Sequence, residues 1–126
     1  MVDFRLTEEQ MMIREMAREF SEEEILPHAE EWDREGTYPR EAITKAHELG
    51  LLNVTIPEKY GGAGMSTVDE MVICEELSRG DPGFGTASYH TMLASFPILT
   101  GGTEEQKAEY LGRVTEGKLA AYCVTE

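Results

Sequence analysis

An all-α domain is the fold class this sequence predicts, and three observations predict it. Helix-capping signatures recur at Thr7, Glu8, Glu9 and Gln10, at Ser66 to Asp69, and again at Thr103 to Gln106. Apolar residues follow these signatures at spacings of three and four, the period of one helix face. Glycine and proline stand where such helices would stop or restart: Pro27, Gly36, Gly50, Gly80 and Pro82. One run does not fit, and it lies at the end of the chain.

The first helix starts at the Thr7 box, where the threonine hydroxyl can accept from the backbone three residues on while Gln10 reaches back. Ile13, Met16, Ala17 and Phe20 supply its inner face, and Glu8 and Glu9 sit at the positive end of its dipole. Pro27 ends or kinks it, and residues 28–35 continue helically until Gly36. Trp32 is a packing residue of that piece. A further helix begins near Pro39 and ends at Gly50, with Ile43, Ala46, His47 and Leu49 as its inner side. Residues 51–56 are short, apolar and partly β-branched, and so read as extended. Pro57 opens a turn closed by Gly61, Gly62, Ala63 and Gly64. With no following Gly-Lys-Ser/Thr and no framing strand and helix, this is a plain turn rather than a phosphate loop.

Ser66 caps the next helix, ahead of Met71, Val72, Cys74 and Leu77, and Arg79-Gly80 ends it. Asp81-Pro82 then restarts one, aspartate as cap and proline in the first turn. Residues 83–99 are rich in Gly, Ala, Ser and Thr and nearly uncharged, which implies burial on most of the circumference. Core packing and a ligand-lining role both account for that composition. The Thr103 box launches a last helix through Tyr110 and Leu111. After Gly117, residues 119–125 read as a strand. A lone apolar strand has no partner in a helical domain and an exposed edge is a liability, so it is expected to join a sheet encoded after Glu126.

Composition excludes several functions. Acidic residues number 25 against 11 basic ones, a net charge of -14, which opposes nucleic-acid binding and anionic membranes. Solvated Glu-rich helix surfaces account for the excess; salt adaptation, or balancing basic residues elsewhere in the protein, would account for it too. No apolar run nears the roughly 20 residues of a membrane helix, and the first ten residues carry no targeting pattern, so a cytoplasmic prokaryotic protein, or a processed organellar one, without membrane insertion is expected. Cys74 reads as a small core residue, and neither cysteine shows metal or redox spacing with the other or with His28, His47 and His90. No metal is expected. The carboxylates at Glu22, Glu23, Glu24, Glu30 and Glu31 are abundant but none is singled out as an acid or base. Ser88, Tyr89 and His90 are neighbours in sequence that point apart on a helix.

Taken in order, the segments resemble the acyl-CoA dehydrogenase family. The opening Phe4-x-Leu6-Thr7-x-Glu9-Gln10 and Ile25-Leu26-Pro27 are similar to its first helix. His47 to Leu52 and the run Ile56-Pro57-Glu58-Lys59-Tyr60-Gly61-Gly62-Ala63-Gly64 are similar to its second helix and glycine-rich turn. Glu75-Glu76-Leu77-Ser78, then Gly102 to Lys107, Tyr110-Leu111 and Ala121-Tyr122-Cys123-Val124-Thr125-Glu126 follow in the family's order. Each piece alone is weak; together and in order, across the whole chain, they are specific.

The resemblance implies an up-and-down helical bundle over residues 1–118, with residues 119–126 as the first strand of a flavin-binding β-domain. It implies α,β-dehydrogenation of acyl-CoA thioesters by FAD, with electrons passed to an electron-transfer flavoprotein and a homotetrameric whole protein. Tyr122, Val124 and Thr125 match the flavin-contacting strand; Tyr89, His90 and Leu93 match the helix that closes the acyl-chain pocket. No catalytic residue is assigned, because the family's catalytic carboxylate belongs to a carboxyl-terminal bundle. Two other outcomes are a helical interaction module without catalysis, and an acyl-CoA oxidase or flavin monooxygenase on the same scaffold.

Overall fold

The computed structural model describes residues 4–125. Six α-helices account for most of its regular structure: α1 (Glu8–Phe20), α2 (Ala29–Glu35), α3 (Arg40–Glu48), α4 (Thr67–Gly80), α5 (Pro82–Gly101) and α6 (Glu104–Thr115). All three capping boxes form as the sequence predicts. At α1 the Gln10 N–H donates to Thr7 Oγ1 at 3.1 Å, and the Thr7 N–H donates back to Gln10 Oε1 at 3.0 Å. Ser66 with Asp69 and Thr103 with Gln106 repeat the arrangement, and Asp81 caps α5 through the Phe84 N–H. Such caps are each worth about 1 kcal/mol and fix where a helix begins.

Proline sets the end of the first helix. Before Pro27 the chain widens into a π-turn, Ser21–Ile25, in which the Leu26 N–H reaches the Ser21 carbonyl at 2.9 Å. Proline cannot continue the ladder. Trp32 of α2 packs inward as expected, its ring 6.0 Å from Phe84.

Helices α1 and α4 lie side by side and run the same way. Gln10 near the start of α1 donates to Asp69 at the start of α4 at 2.8 Å, and Arg18 near its end reaches Glu76. The connections from α4 to α5 and from α5 to α6 are too short for anything but reversal, so these neighbours alternate in direction. Ala17, Phe20, Ile25, Ile43, Ala46, Ile73, Leu77 and Phe84 form the larger core between α1, α3, α4 and the first turn of α5. Ile56, Tyr60, Met92, Leu111 and Val114 form a smaller one under α5 and α6.

Two segments expected to be extended are not strands. Residues 51–56 run as bends and turns, with Leu51, Val54 and Ile56 buried. Their backbone ties instead to the far side of the glycine turn, where Gly64 N–H reaches the Ile56 carbonyl and Met65 N–H the Val54 carbonyl, each at 2.9 Å. Gly62 is required there: a Cβ on it would stand 2.0 Å from the Ile56 carbonyl oxygen. Residues 119–125, expected as the strand that ends the domain, carry no strand structure among the described residues, and Glu126 lies outside them. A strand needs an edge to bond to, and these helices present none. Leu49, expected on the inner side of α3, is half exposed, and Leu51 fills that place. No helix is long and apolar enough to cross a membrane.

Candidate functional site

Helix α5 is the element around which a site can be built. Its 20 residues include no Asp, Glu, Lys or Arg, in a chain of net charge -14. The sequence implied burial on most of its circumference, and the structure divides it. Phe84, Gly85, Ser88, Thr91, Met92, Ala94 and Ser95 are buried, while Thr86, His90, Leu93, Phe96 and Pro97 form an exposed, uncharged stripe. Gly85 lets α5 close on α4: a Cβ there would stand 2.1 Å from Ser78 Oγ and 3.1 Å from Ser78 Cα. Only glycine permits that approach.

Two hollows meet on the inner side. A groove of about 530 Å³ lies between α3, α5 and residues 115–119, with Arg40, His47, Thr91 and Lys118 among its walls. A small cleft of about 20 Å³ lies between α4, α5 and the bend at residues 51–53. Leu52, Asn53 and Ser88 line both. The cleft is mostly apolar, with Glu70 and Asn53 among its walls. Glu70 is 6% exposed, and its Oε2 has no hydrogen-bond partner. Its Oε1 accepts only a long 3.4 Å bond from Thr55 Oγ1, whose single hydrogen also faces Met92 Sδ at 3.3 Å. Asn53, held in the left-handed region at φ 57°, has its buried Oδ1 unpartnered as well. Burial pushes the Glu70 carboxyl above its ordinary pKa, against a small opposing pull from Thr55. Burial, then the charges of Glu70 and Cys74, push the neighbouring Tyr89 phenol up too.

The six site residues named from sequence fall in three places. Tyr89 is half-buried on the cleft wall and packs against the smaller core. His90 and Leu93 lie on the exposed stripe, Leu93 at 38% exposure. Tyr122, Val124 and Thr125 are exposed in the terminal segment. That segment is tethered beside α5 by Thr91, whose hydroxyl accepts from the Ala120 N–H at 3.2 Å. Ala120 is the last described residue bonded to the helices, so the polar backbone beyond it is available to another body. An exposed tyrosine, an exposed threonine hydroxyl and unbonded backbone groups leave this segment open to a ligand or a further domain.

Sequence reasoning missed Glu70, Asn53 and Thr91. Glu70 left a signal: it stands three and seven residues before Ile73 and Leu77, in register with the buried face of α4. Asn53 and Thr91 left none, since their roles come from residues distant in sequence.

Comparison with known proteins agrees with this architecture. Residues 7–118 match the family model described as acyl-CoA dehydrogenase, N-terminal domain. The chain is 44% identical over 126 residues to a probable medium-chain specific acyl-CoA dehydrogenase 2, mitochondrial, of Caenorhabditis briggsae, covering 99% of this chain and 31% of that protein. It superposes with a TM-score of 0.88 and 35% identity on an acyl-CoA dehydrogenase complexed with FAD from Bacillus anthracis, covering 100% of this chain and 22% of that one. Butyryl-CoA dehydrogenase from Megasphaera elsdenii gives a TM-score of 0.82 at 35% identity, over 94% of this chain and 32% of the other. The chain thus spans about a third of the length of the curated relatives it matches.

Proposed function

Because this chain belongs to the acyl-CoA dehydrogenase family, we propose that it is the N-terminal helical part of an FAD-dependent enzyme that desaturates acyl-CoA thioesters between the α and β carbons. The observation that carries the reading is the uncharged stripe of α5 beside the tethered terminal segment. In so acidic a chain, an exposed face without charge is suited to an acyl chain and to the packing of a further domain.

In this reading each group of residues has a physical task. Leu93 and the neighbouring His90 present the apolar and polar parts of the acyl-binding face. Tyr89 limits how far the acyl chain extends by standing on the cleft wall. Tyr122, Val124 and Thr125 hold the flavin, with Thr91 fixing the segment that carries them against α5. FAD supplies acceptance of the hydride from the substrate's β-carbon. The carboxylate that removes the α-proton, the contacts that pass electrons to an electron-transfer flavoprotein and the tetramer interface are assigned to no residue of this chain.

Two experiments test the proposal. Tyr89→Gly in the flavin-loaded protein carrying this chain is expected to move the preferred acyl length upward, and an unchanged chain-length profile overturns the role of Tyr89. The 126-residue chain by itself is expected to stay colourless after incubation with FAD and gel filtration. A yellow product with one flavin per chain would show that these helices hold the cofactor without a β-domain.

A further inference from the structure

Helix α5 carries five hydroxyl side chains, and one of them behaves unlike the rest. Thr86, Ser88, Ser95 and Thr100 each donate to a carbonyl of their own helix three or four residues back, at 2.8–3.0 Å. That is the ordinary recourse of a serine or threonine inside a helix. Thr91, buried at 2% exposure, makes no such bond among the described residues. Its Oγ1 faces Ala120 instead, accepting the Ala120 N–H at 3.2 Å and donating to the Ala120 carbonyl at a longer 3.5 Å. A hydroxyl can do both at once, being one donor and two acceptors. Turned this way, it occupies both backbone groups of one residue, as the opposite residue of a paired strand would.

The position of this bond gives it a consequence. The segment leaving α6 is pinned twice: at Gly117, where a Cβ would stand 3.0 Å from His47 Cδ2, and at Ala120 by Thr91. Lys118 and Leu119, between the pins, line the groove beside α5. Thr91 itself stands between His90 and Leu93, and Tyr122 follows Ala120 by two residues. We propose that Thr91 is a positioning residue, whose hydroxyl sets the height and register of residues 122–125 against the acyl-binding face of α5 without touching either ligand. The proposal rests on the reading of Tyr122, Val124 and Thr125 as the flavin-holding group and of α5 as the acyl-binding helix. Reacting groups tolerate little misplacement: an error of about 1 Å can cost on the order of a hundredfold in rate. A residue that aligns the two sides acts on turnover, whereas one that only binds the acyl chain acts on KM.

Two measurements test this. In the 126-residue chain, the Ala120 amide is expected to exchange with solvent about fivefold faster in Thr91→Val than in the parent, as loss of one hydrogen bond predicts. Thr91→Ser, which keeps the hydroxyl, should stay near the parent rate. In the flavin-loaded protein carrying this chain, Thr91→Val is expected to lower kcat about tenfold while KM changes by less than about twofold. The flavin's visible absorption maxima should move in the same variant, and Thr91→Ser should restore both. Ala120→Pro deletes the same N–H without entering the core and is expected to reproduce both losses, so the test survives a Thr91→Val chain that fails to fold. Unchanged amide exchange in Thr91→Val overturns the bond. Faster exchange with kcat, KM and spectrum unmoved overturns the positioning role, as does a rise in KM at constant kcat. If the exchange result holds but the parent protein neither retains flavin nor desaturates acyl-CoA, the functional reading has failed and the Thr91–Ala120 contact has not.

Discussion

On the side of α4 that faces α1, Glu76 is 4% exposed and fully answered; on the side that faces α5, Glu70 is 6% exposed and half answered. Arg18 donates to Glu76 through Nη2 at 2.6 Å and Nε at 3.1 Å, with the Arg79 Nε 3.5 Å away. Those partners, Arg18 first, hold the Glu76 carboxyl below its ordinary pKa, whereas burial raises that of Glu70. Arg79 also pairs with Glu22 of the π-turn, so the cations on this side tie three elements together. The contrast shows that two carboxylates equally buried on one helix can be shifted in opposite directions. What separates them is whether the low-dielectric setting comes with hydrogen bonds for every oxygen.

Replacing each carboxylate by methionine should give unequal results. Glu76→Met loses a two-pronged, charge-assisted pair, and the unfolding constant in urea is expected to rise roughly a hundredfold. Glu70→Met removes an unsatisfied group and is expected to leave stability unchanged or to improve it by up to about 1 kcal/mol. Equal losses at the two positions would abolish the distinction.

A smaller effect tests how closely α5 packs on α4. Gly85→Ala must push α5 off Ser78, and overpacking of this kind costs about 1–2 kcal/mol by thermal or urea unfolding. If Ser78 simply rotates aside and stability holds, the helix contact is looser than the geometry indicates.

The smallest effect is in pH, and its sign differs between the two sides. Glu76 titrates lower in the folded state, so its contribution is present above the ordinary carboxylate pKa of 4.5 and fades as pH falls through the depressed folded value. Glu70 titrates higher when folded; its contribution is full below 4.5 and is lost as pH rises through the raised value. Relative to the parent chain, Glu70→Met should therefore gain stability as pH rises, while Glu76→Met should lose least in acid. Parallel pH profiles for the two variants would refute the assignment of opposite shifts.

Much of the scaffold was legible because its cues are local. The boxes at Thr7, Ser66 and Thr103, the cap at Asp81 and the stop at Pro27 each act through bonds within a few residues. Tyr89, His90 and Leu93 were named through resemblance alone; the structure puts Tyr89 on a cleft wall while His90 and Leu93 face outward. Residues 51–56 were misread as extended, and the strand expected over residues 119–125 has no sheet to pair with among the described residues. Apolar, β-branched composition states that residues are buried or await burial, but a strand exists only once a neighbouring strand supplies its hydrogen bonds.

By itself the sequence determined the number of helices, where they begin and end, and an uncharged α5 in an acidic chain, since capping, proline and periodicity are decided over a turn or two. Only the tertiary structure decided which acid is matched. Glu76 meets Arg18 from 58 positions away, and Glu70 has its nearest donor in a bend 15 residues back that must also serve Met92. Such partners are brought together by helix packing, and packing is a property of the whole chain.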